Sequence, residues 1–346
     1  MSKACKRWAC GLLAAVLVLL AACAAVVYLV DPCLYYRMPD KWEPVFFSER
    51  YQGAGLAKNV PADTVLVGTS MAANYRASEV GETFGGSAVR ITIPDGYLSE
   101  FDQVMDVVFR SQTPKRVVFA LDLNILVRDE SGVTGAMPEY LYNDSLLDDA
   151  KYLLNKDTLY YSLYVLMTNR WGGGQTLDES FTWDEGIWWN HMTALAGYTR
   201  PEVAEETADT AAFRDHARQN LAVVESWVRA HPDTEFDIFF PPYSILFWDK
   251  MDRLGEREAM LALLEETTET LLQYDNAELQ FFMADTDVIT NLDNYADHIH
   301  VAGRVTYRMA QAMPAGQYRL TAENRAEVLD GLRDFVVHYD YDEIWK

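Results

Sequence analysis

Residues 8–30 form a run of 23 positions with no charged side chain and hardly a polar one. Such a run has few ways to fold. As an α-helix rising 1.5 Å per residue it spans roughly 34 Å, enough to cross the hydrocarbon of a bilayer. Lys3, Lys6 and Arg7 precede it, and Asp31-Pro32 ends it. Basic residues before the span and none just after it put the N-terminus in the cytoplasm and everything past Asp31 on the other side. A cleaved signal peptide has a shorter apolar region, of about 7–15 residues. Leu20-Ala21-Ala22-Cys23 also reads as a lipobox that would lipidate Cys23, yet the residues after it stay apolar where a lipoprotein turns polar. The expectation is an uncleaved anchor through residues 8–30. Residues 1–33 then make a cytoplasmic tip and span, and residues 34–346 an extracytoplasmic domain held at the cell membrane.

Cys5, Cys10, Cys23 and Cys33 all lie within or beside the apolar run, and the chain has no cysteine from Leu34 onward. The outer domain therefore has no disulfide and no thiol nucleophile, and core packing alone must hold it. The chain has 52 acidic against 29 basic residues, a net charge of −23, and everything past the apolar run carries −26. A surface of that sign repels nucleic acid and other polyanions. A neutral or amino-bearing glycan is an easier partner, although solubility alone accounts for the same charge.

Near-continuous apolar runs at 64–67, 89–93, 116–123, 235–240 and 279–284 read as strands buried on both faces. Helical spacing fills the gaps. Ser99 opens one helix with Asp102 three residues on, a long pattern follows Phe213, another covers 248–274, and two more surround Met309 and Val328. This alternation implies a parallel sheet between layers of helices. Ligand sites in such folds lie at the carboxyl ends of the strands. Residues 128–212 read as a long helical insertion placed to fold over that edge. It has short helical patterns at 146–154 and 159–167, then Gly172-Gly173-Gly174, and the tryptophans Trp171, Trp183, Trp188 and Trp189.

Two segments carry chemistry. In VLVGTSMAANY the first strand runs into Gly68-Thr69-Ser70. A serine there sits on the carboxyl edge with its own N–H at a helix start, where negative charge is stabilised; the alternative is that Ser70 merely caps that helix. In NYADHIHVAG, Asp297 and His300 stand three apart on a turn, the arrangement of a base and the carboxylate that fixes its tautomer. His298 and His300 as metal ligands are the alternative, but no third and fourth ligand stands at a plausible spacing, so no metal and no cofactor is expected.

Together the two segments resemble the SGNH, or GDSL-like, hydrolase superfamily. Gly68-Thr69-Ser70 is similar to its Gly-Asp-Ser block with Thr for Asp, and Asp297-His298-Ile299-His300 to its Asp-x-x-His block. The resemblance implies a three-layer, flavodoxin-like parallel sheet. It makes Ser70 the nucleophile, His300 the base and Asp297 its partner, with oxyanion donors from Ser70, Gly96 after the second strand and Asn124 after the third. Asp122-Leu123-Asn124-Ile125 departs from the family's Gly-x-Asn-Asp at two of four positions, and Asp122 competes with Asn124.

More narrowly, the chain resembles membrane-anchored SGNH-like proteins of bacterial envelopes, such as the D-alanine transfer protein of teichoic acids and the alginate O-acetylation proteins. Glu49-Arg50-Tyr51-Gln52 through Asn59, and Phe239 to Ser244, look like further marks of such a branch. That likeness implies an acylated glycan or other envelope ester as substrate, by hydrolysis or by transfer, and a membrane-bound O-acyltransferase as partner. The alternative is an SGNH-fold binding or assembly protein that has lost turnover. Tyr243, Trp183 and Trp188 are candidates to line the cleft and stack on sugar faces, against roles as loop filler or lid packing.

Overall fold

The computed structural model describes residues 3–129, 132–133, 135, 137–207 and 210–345. The chain forms two compact units, Met1–Val60 with Met137–Thr176, and Pro61–Ala136 with Leu177–Lys346.

The larger unit is built on a six-stranded sheet: β1 (Thr64–Gly68), β2 (Ala88–Thr92), β3 (Arg116–Ala120), β4 (Glu235–Phe240), β5 (Ala277–Phe281) and β6 (Arg319–Leu320). The order is β2-β1-β3-β4-β5-β6, and the first five are parallel. This is the doubly wound order in which loops diverge at the carboxyl ends of β1 and β3. Val65 to Val67, Val117 to Phe119 and Ile238 to Phe240 are all buried, as strands covered on both faces must be. The close approach of β3 also fixes Gly68, because a Cβ there would lie 2.6 Å from Cβ of Ala120. β6 is the one strand the sequence does not announce. It pairs antiparallel with β5 through Leu320 and Arg319 alone, too short to show a period.

Two helical expectations shift. The pattern over 248–274 divides into Ile245–Arg253 and Arg257–Leu271, broken at Gly255 with φ 70, the left-handed conformation that ends helices. The helix expected to open at Ser99 begins at Leu98. Glu100, not Asp102, accepts the N–H of Tyr97 at 3.0 Å, and Asp102 instead accepts the indole N–H of Trp227 at 2.8 Å.

In the smaller unit the apolar run is one helix, Lys3–Val30, long and apolar enough to cross a membrane. Asp31, at φ 52, ends it. Its carboxylate accepts the N–H groups of Tyr35, Tyr36 and Arg37 at 3.0, 2.8 and 3.0 Å and the Tyr152 hydroxyl at 2.7 Å. The helix Glu49–Asn59 clamps the segment that follows. Gln52 is fully buried, accepts from Phe47 at 2.9 Å, and donates to the carbonyls of Pro32 and Val45 at 3.0 and 2.9 Å. Asn59 donates to the carbonyl of Leu34 at 2.6 Å. The stretch 49–59 thus has a structural reason for its residues. Helices Asp149–Leu153 and Lys156–Arg170 belong to this unit too. Asn169 grips both backbone groups of Glu43, at 2.8 and 3.0 Å, and Gln175 donates to the Pro44 carbonyl at 2.9 Å. The residues expected as one insertion, 128–212, are therefore divided: 137–176 fold with the N-terminal part and the described remainder with the sheet.

Candidate active site

β1 ends at Gly68, and Ser70 opens a single 3-10 turn, Ser70–Ala72, before the α-helix Ala77–Phe84. The sequence reading of a helix start at Ser70 is corrected to that one turn, which has little macrodipole of its own. Ser70 is half-buried, and its Oγ lies 2.7 Å from Nε2 of His300. On the far side of the ring, Nδ1 of His300 is 2.6 Å from Oδ2 of Asp297. The other carboxylate oxygen accepts the N–H groups of Ile299 and His300 at 2.8 and 2.9 Å. Burial pushes the Asp297 carboxyl up. The imidazole bond, the attraction of the ring and the two backbone donors outweigh that and hold it down at about 2. The loop is pinned by a bridge between Tyr295 and Val301 and by the N–H of Ala296 on the His300 carbonyl at 3.1 Å.

The tryptophan segment reaches this site. Trp183 stands edge-to-face on His300, ring centres 4.9 Å apart at 88°, and tilts against Trp189 at 5.5 Å. Asp184 accepts the N–H of Gly303 at 2.7 Å, which ties the segment to the chain just past His300. Trp188, in the same segment, is 84% exposed.

Beneath Ser70 is a buried polar network. Thr69 donates through Oγ1 to Oδ2 of Asp122 at 3.1 Å, and Asp122 also caps the N–H of Asn124 at 2.9 Å. Tyr243 donates its hydroxyl to the same carboxylate and accepts the N–H of Leu123 at 3.0 Å. Thr69, Asp122 and Tyr243 are all 5% exposed or less. Thr69 is thus paired with an aspartate from the β3 loop. Tyr243 is corrected from a cleft-lining residue to a fully buried strut.

The next residue, Ser244, caps the helix Ile245–Arg253, and its N–H and Oγ both donate to the His298 carbonyl, at 3.2 and 2.8 Å. Asn74 donates to the Val301 carbonyl at 3.0 Å. Arg90, buried within β2, bonds the carbonyls of Tyr75 and Ser180, and burial lowers its guanidinium to about 10. Sequence reasoning missed Asn74 and Arg90 and gave Ser244 no role beyond its place in the segment 239–244; each works through backbone carbonyls of distant loops, which leave no local pattern.

Gly96 does not stand as an oxyanion donor. Ile93-Pro94-Asp95-Gly96 is a tight turn with Asp95 at φ 55, and the Gly96 N–H donates to the Ile93 carbonyl at 2.9 Å. The Asn124 amide is half-buried and makes no hydrogen bond among the described residues, and neither does the Ser70 N–H. His298 makes its contacts elsewhere. Its Nε2 is 3.4 Å from Nζ of Lys250, and its ring lies 5.9 Å from that of Tyr198. Burial first and the neighbouring ammonium second lower its imidazole to about 4. A cation at that distance also makes His298 a poor metal ligand. Among the described residues no group of three or more His, Cys, Asp or Glu is arranged to hold a metal.

No family model matches the chain, and no curated protein matches it. Among solved structures it is similar to a Streptococcus pneumonia protein provisionally named a platelet activating factor, at 11% identity and a TM-score of 0.39, over 83% of this chain and 91% of that one. Neither fold nor activity is carried over from a likeness of that size.

Proposed function

We propose that the chain is a membrane-anchored serine acyl-transfer enzyme of SGNH type, an esterase or O-acyltransferase acting outside the cell membrane on an acylated envelope glycan. The observation that carries this reading is the unbroken line from Ser70 Oγ to His300 Nε2 at 2.7 Å and from His300 Nδ1 to Asp297 at 2.6 Å. Those distances are the ones a serine nucleophile, its base and the orienting carboxylate require.

His300 takes the hydroxyl proton as Ser70 Oγ bonds to the acyl carbon and the carbonyl electron pair moves onto oxygen. Donors for that oxyanion are the Ser70 N–H and the Asn124 amide, each worth roughly 3–4 kcal/mol if aligned. Collapse expels the sugar alcohol, which leaves with the proton from His300, and the acyl group stays on Ser70. Water or a second sugar hydroxyl then attacks with His300 again as base, giving the free acid or the acylated acceptor. Trp183 beside His300 supplies a ring for a sugar face. A membrane-bound O-acyltransferase is the partner that would deliver the acyl group.

A fluorophosphonate probe on the full-length protein should label Ser70 and fail on Ser70→Ala; absence of label on the wild type removes the enzyme reading. A second reading, a non-catalytic binding or assembly protein, has one observation in its favour: the Gly96 N–H is occupied, so two oxyanion donors stand where the family has three. Acyl turnover on an acetylated glycan separates the two. Protease added to intact spheroplasts should digest the outer domain, and co-purification with an O-acyltransferase should need residues 1–33.

A further inference from the structure

The helix Lys156–Arg170 is inside out for a protein in water. Its buried positions include Thr158 at 1% and Ser162 at 0% exposure. Both hydroxyls are satisfied within the local backbone, Thr158 on the Tyr152 carbonyl at 2.6 Å and Ser162 on the Thr158 carbonyl at 2.7 Å. Its exposed positions between residues 159 and 169 are Tyr160, Leu163, Tyr164, Leu166 and Met167, without a charge among them. Trp171, 74% exposed, continues the stripe one turn on. Charge is confined to the ends, Lys156 with Asp157 and Arg170. Small hydroxylated residues inside and large apolar ones outside are what helices in lipid show, since lipid offers no penalty for an apolar face.

The anchor helix says where this helix sits. The Lys156–Arg170 helix packs on the last turns of Lys3–Val30, in a core of Val30, Val45 and Val165 flanked by Val26 and Trp42. The anchor is bare up to Ala22, and protein begins to cover it at Cys23. The bare apolar stretch 8–22 is about 22 Å long at 1.5 Å per residue, short of the roughly 30 Å of hydrocarbon. A complete crossing needs the covered turns 23–30 as well, and those turns bring their packing partner to the same depth.

We propose that the Lys156–Arg170 helix lies in the extracytoplasmic leaflet of the bilayer that residues 8–30 cross, with Tyr160, Leu163, Tyr164, Leu166 and Met167 against lipid and Trp171 at the headgroups. Tyrosine and tryptophan at that level are the usual interfacial anchors. The inference rests on the reading of residues 8–30 as an uncleaved span.

The test uses the wild-type full-length chain in phosphatidylglycerol–phosphatidylethanolamine vesicles with a phospholipid carrying a photoreactive group in its acyl chain. Trypsin releases the helix as peptide 157–170 and the anchor as peptide 8–37, and mass spectrometry reads the adducts. Both peptides should be labelled. Label on 8–37 without 157–170 refutes the proposal and leaves the anchor standing. Label on neither refutes the anchor and the proposal with it. A water-soluble carbene reagent should label 157–170 severalfold less than exposed peptides of the larger unit; equal labelling, or protection from both reagents by a protein occupant, overturns the assignment. The variant Leu163→Glu with Met167→Glu should lose lipid label on 157–170 severalfold while 8–37 is unchanged.

Discussion

Replacing Asp297 by Asn tests the site most directly, because the side chain does two separable things. One oxygen holds the N–H groups of Ile299 and His300, and an amide oxygen can still accept both. The other faces Nδ1 of His300 at 2.6 Å. There an amide NH2 donates where the carboxylate accepted, so the ring must keep its proton on Nε2, the nitrogen that faces Ser70. A base in the wrong tautomer costs about 10⁴ in rate, equal to roughly 5.5 kcal/mol. The stability effect is separate. The carboxyl is held at about 2 against a usual 3.8, which makes the ionised group worth about 2 kcal/mol to the fold. A folded-state value below the unfolded one gives stabilisation that is complete above 3.8 and is lost as pH falls toward 2. The variant should therefore label with fluorophosphonate about 10⁴-fold more slowly at neutral pH. Its denaturant midpoint should be lower there, with a deficit that narrows as pH drops below 3.8. A labelling rate within about threefold of wild type would refute the tautomer argument, since that is under 1 kcal/mol. A deficit independent of pH would refute the electrostatic one.

Tyr243→Phe removes a donor to the buried Asp122 and leaves the Leu123 N–H without its acceptor; it should cost about 3 kcal/mol in denaturation, though the residue lines no cleft. Trp183→Ala should slow acylation of Ser70 by up to about tenfold, the equivalent of one aromatic pair, while Trp188→Ala, at 84% exposure, should stay within about 0.5 kcal/mol of wild-type stability. His298, lowered to about 4 from 6.5, favours the neutral form in the fold. Its contribution is complete above 6.5 and is lost as pH falls to 4, by up to about 3 kcal/mol. Urea midpoints of His298→Gln should lack the wild-type loss of stability over that window, with the fluorophosphonate rate at neutral pH unchanged.

The strands were legible because burial on both faces writes an unbroken apolar run, as in RVVFA of β3. β6 was not, because two residues carry no period. The line of Ser70, His300 and Asp297 was legible only as a candidate, because a strand-end serine can also cap a helix and paired histidines can also bind metal; the resemblance of both segments to one pair of motif blocks singled it out. Gly96 misled because a glycine after a strand looks the same whether it donates to a ligand or closes a turn; the local φ of Asp95 and the Ile93 carbonyl decide it. For Tyr243 the sequence left cleft lining and loop filling both open; its acceptor Asp122, 121 residues away in sequence, settles it as a buried filler. The division of 128–212 was hidden because Asn169 and Gln175 bind backbone groups of residues 43 and 44, contacts with no sequence pattern.

The segment after β4 explains how two loops 230 residues apart hold a 2.7 Å contact. Proline at 241 and 242 fixes the backbone dihedrals there. From this stiff piece three ties leave. The Pro242 carbonyl accepts the Tyr295 hydroxyl at 2.7 Å, and Ser244 donates twice to the His298 carbonyl, so both ends of the Asp297 turn are fixed to it. Tyr243, between them, reaches the opposite way to Asp122, and through it to Thr69 and the residue next to Ser70. Ser70 and His300 are thus both referenced to one rigid segment, and Asn74 adds a direct tie between their loops through the Val301 carbonyl at 3.0 Å. A site that must keep an imidazole within hydrogen-bond reach of a hydroxyl gains more from such a common support than from further bonds to either side chain. Misplacement of about 1 Å costs as much as 100-fold in rate. On this argument Ser244→Ala, which leaves Ser70, Asp297, His300 and the charge unchanged but removes one of two bonds to the His298 carbonyl and the cap on the Leu246 N–H, should lower stability by about the 1 kcal/mol of the lost cap and slow Ser70 labelling by more than about tenfold.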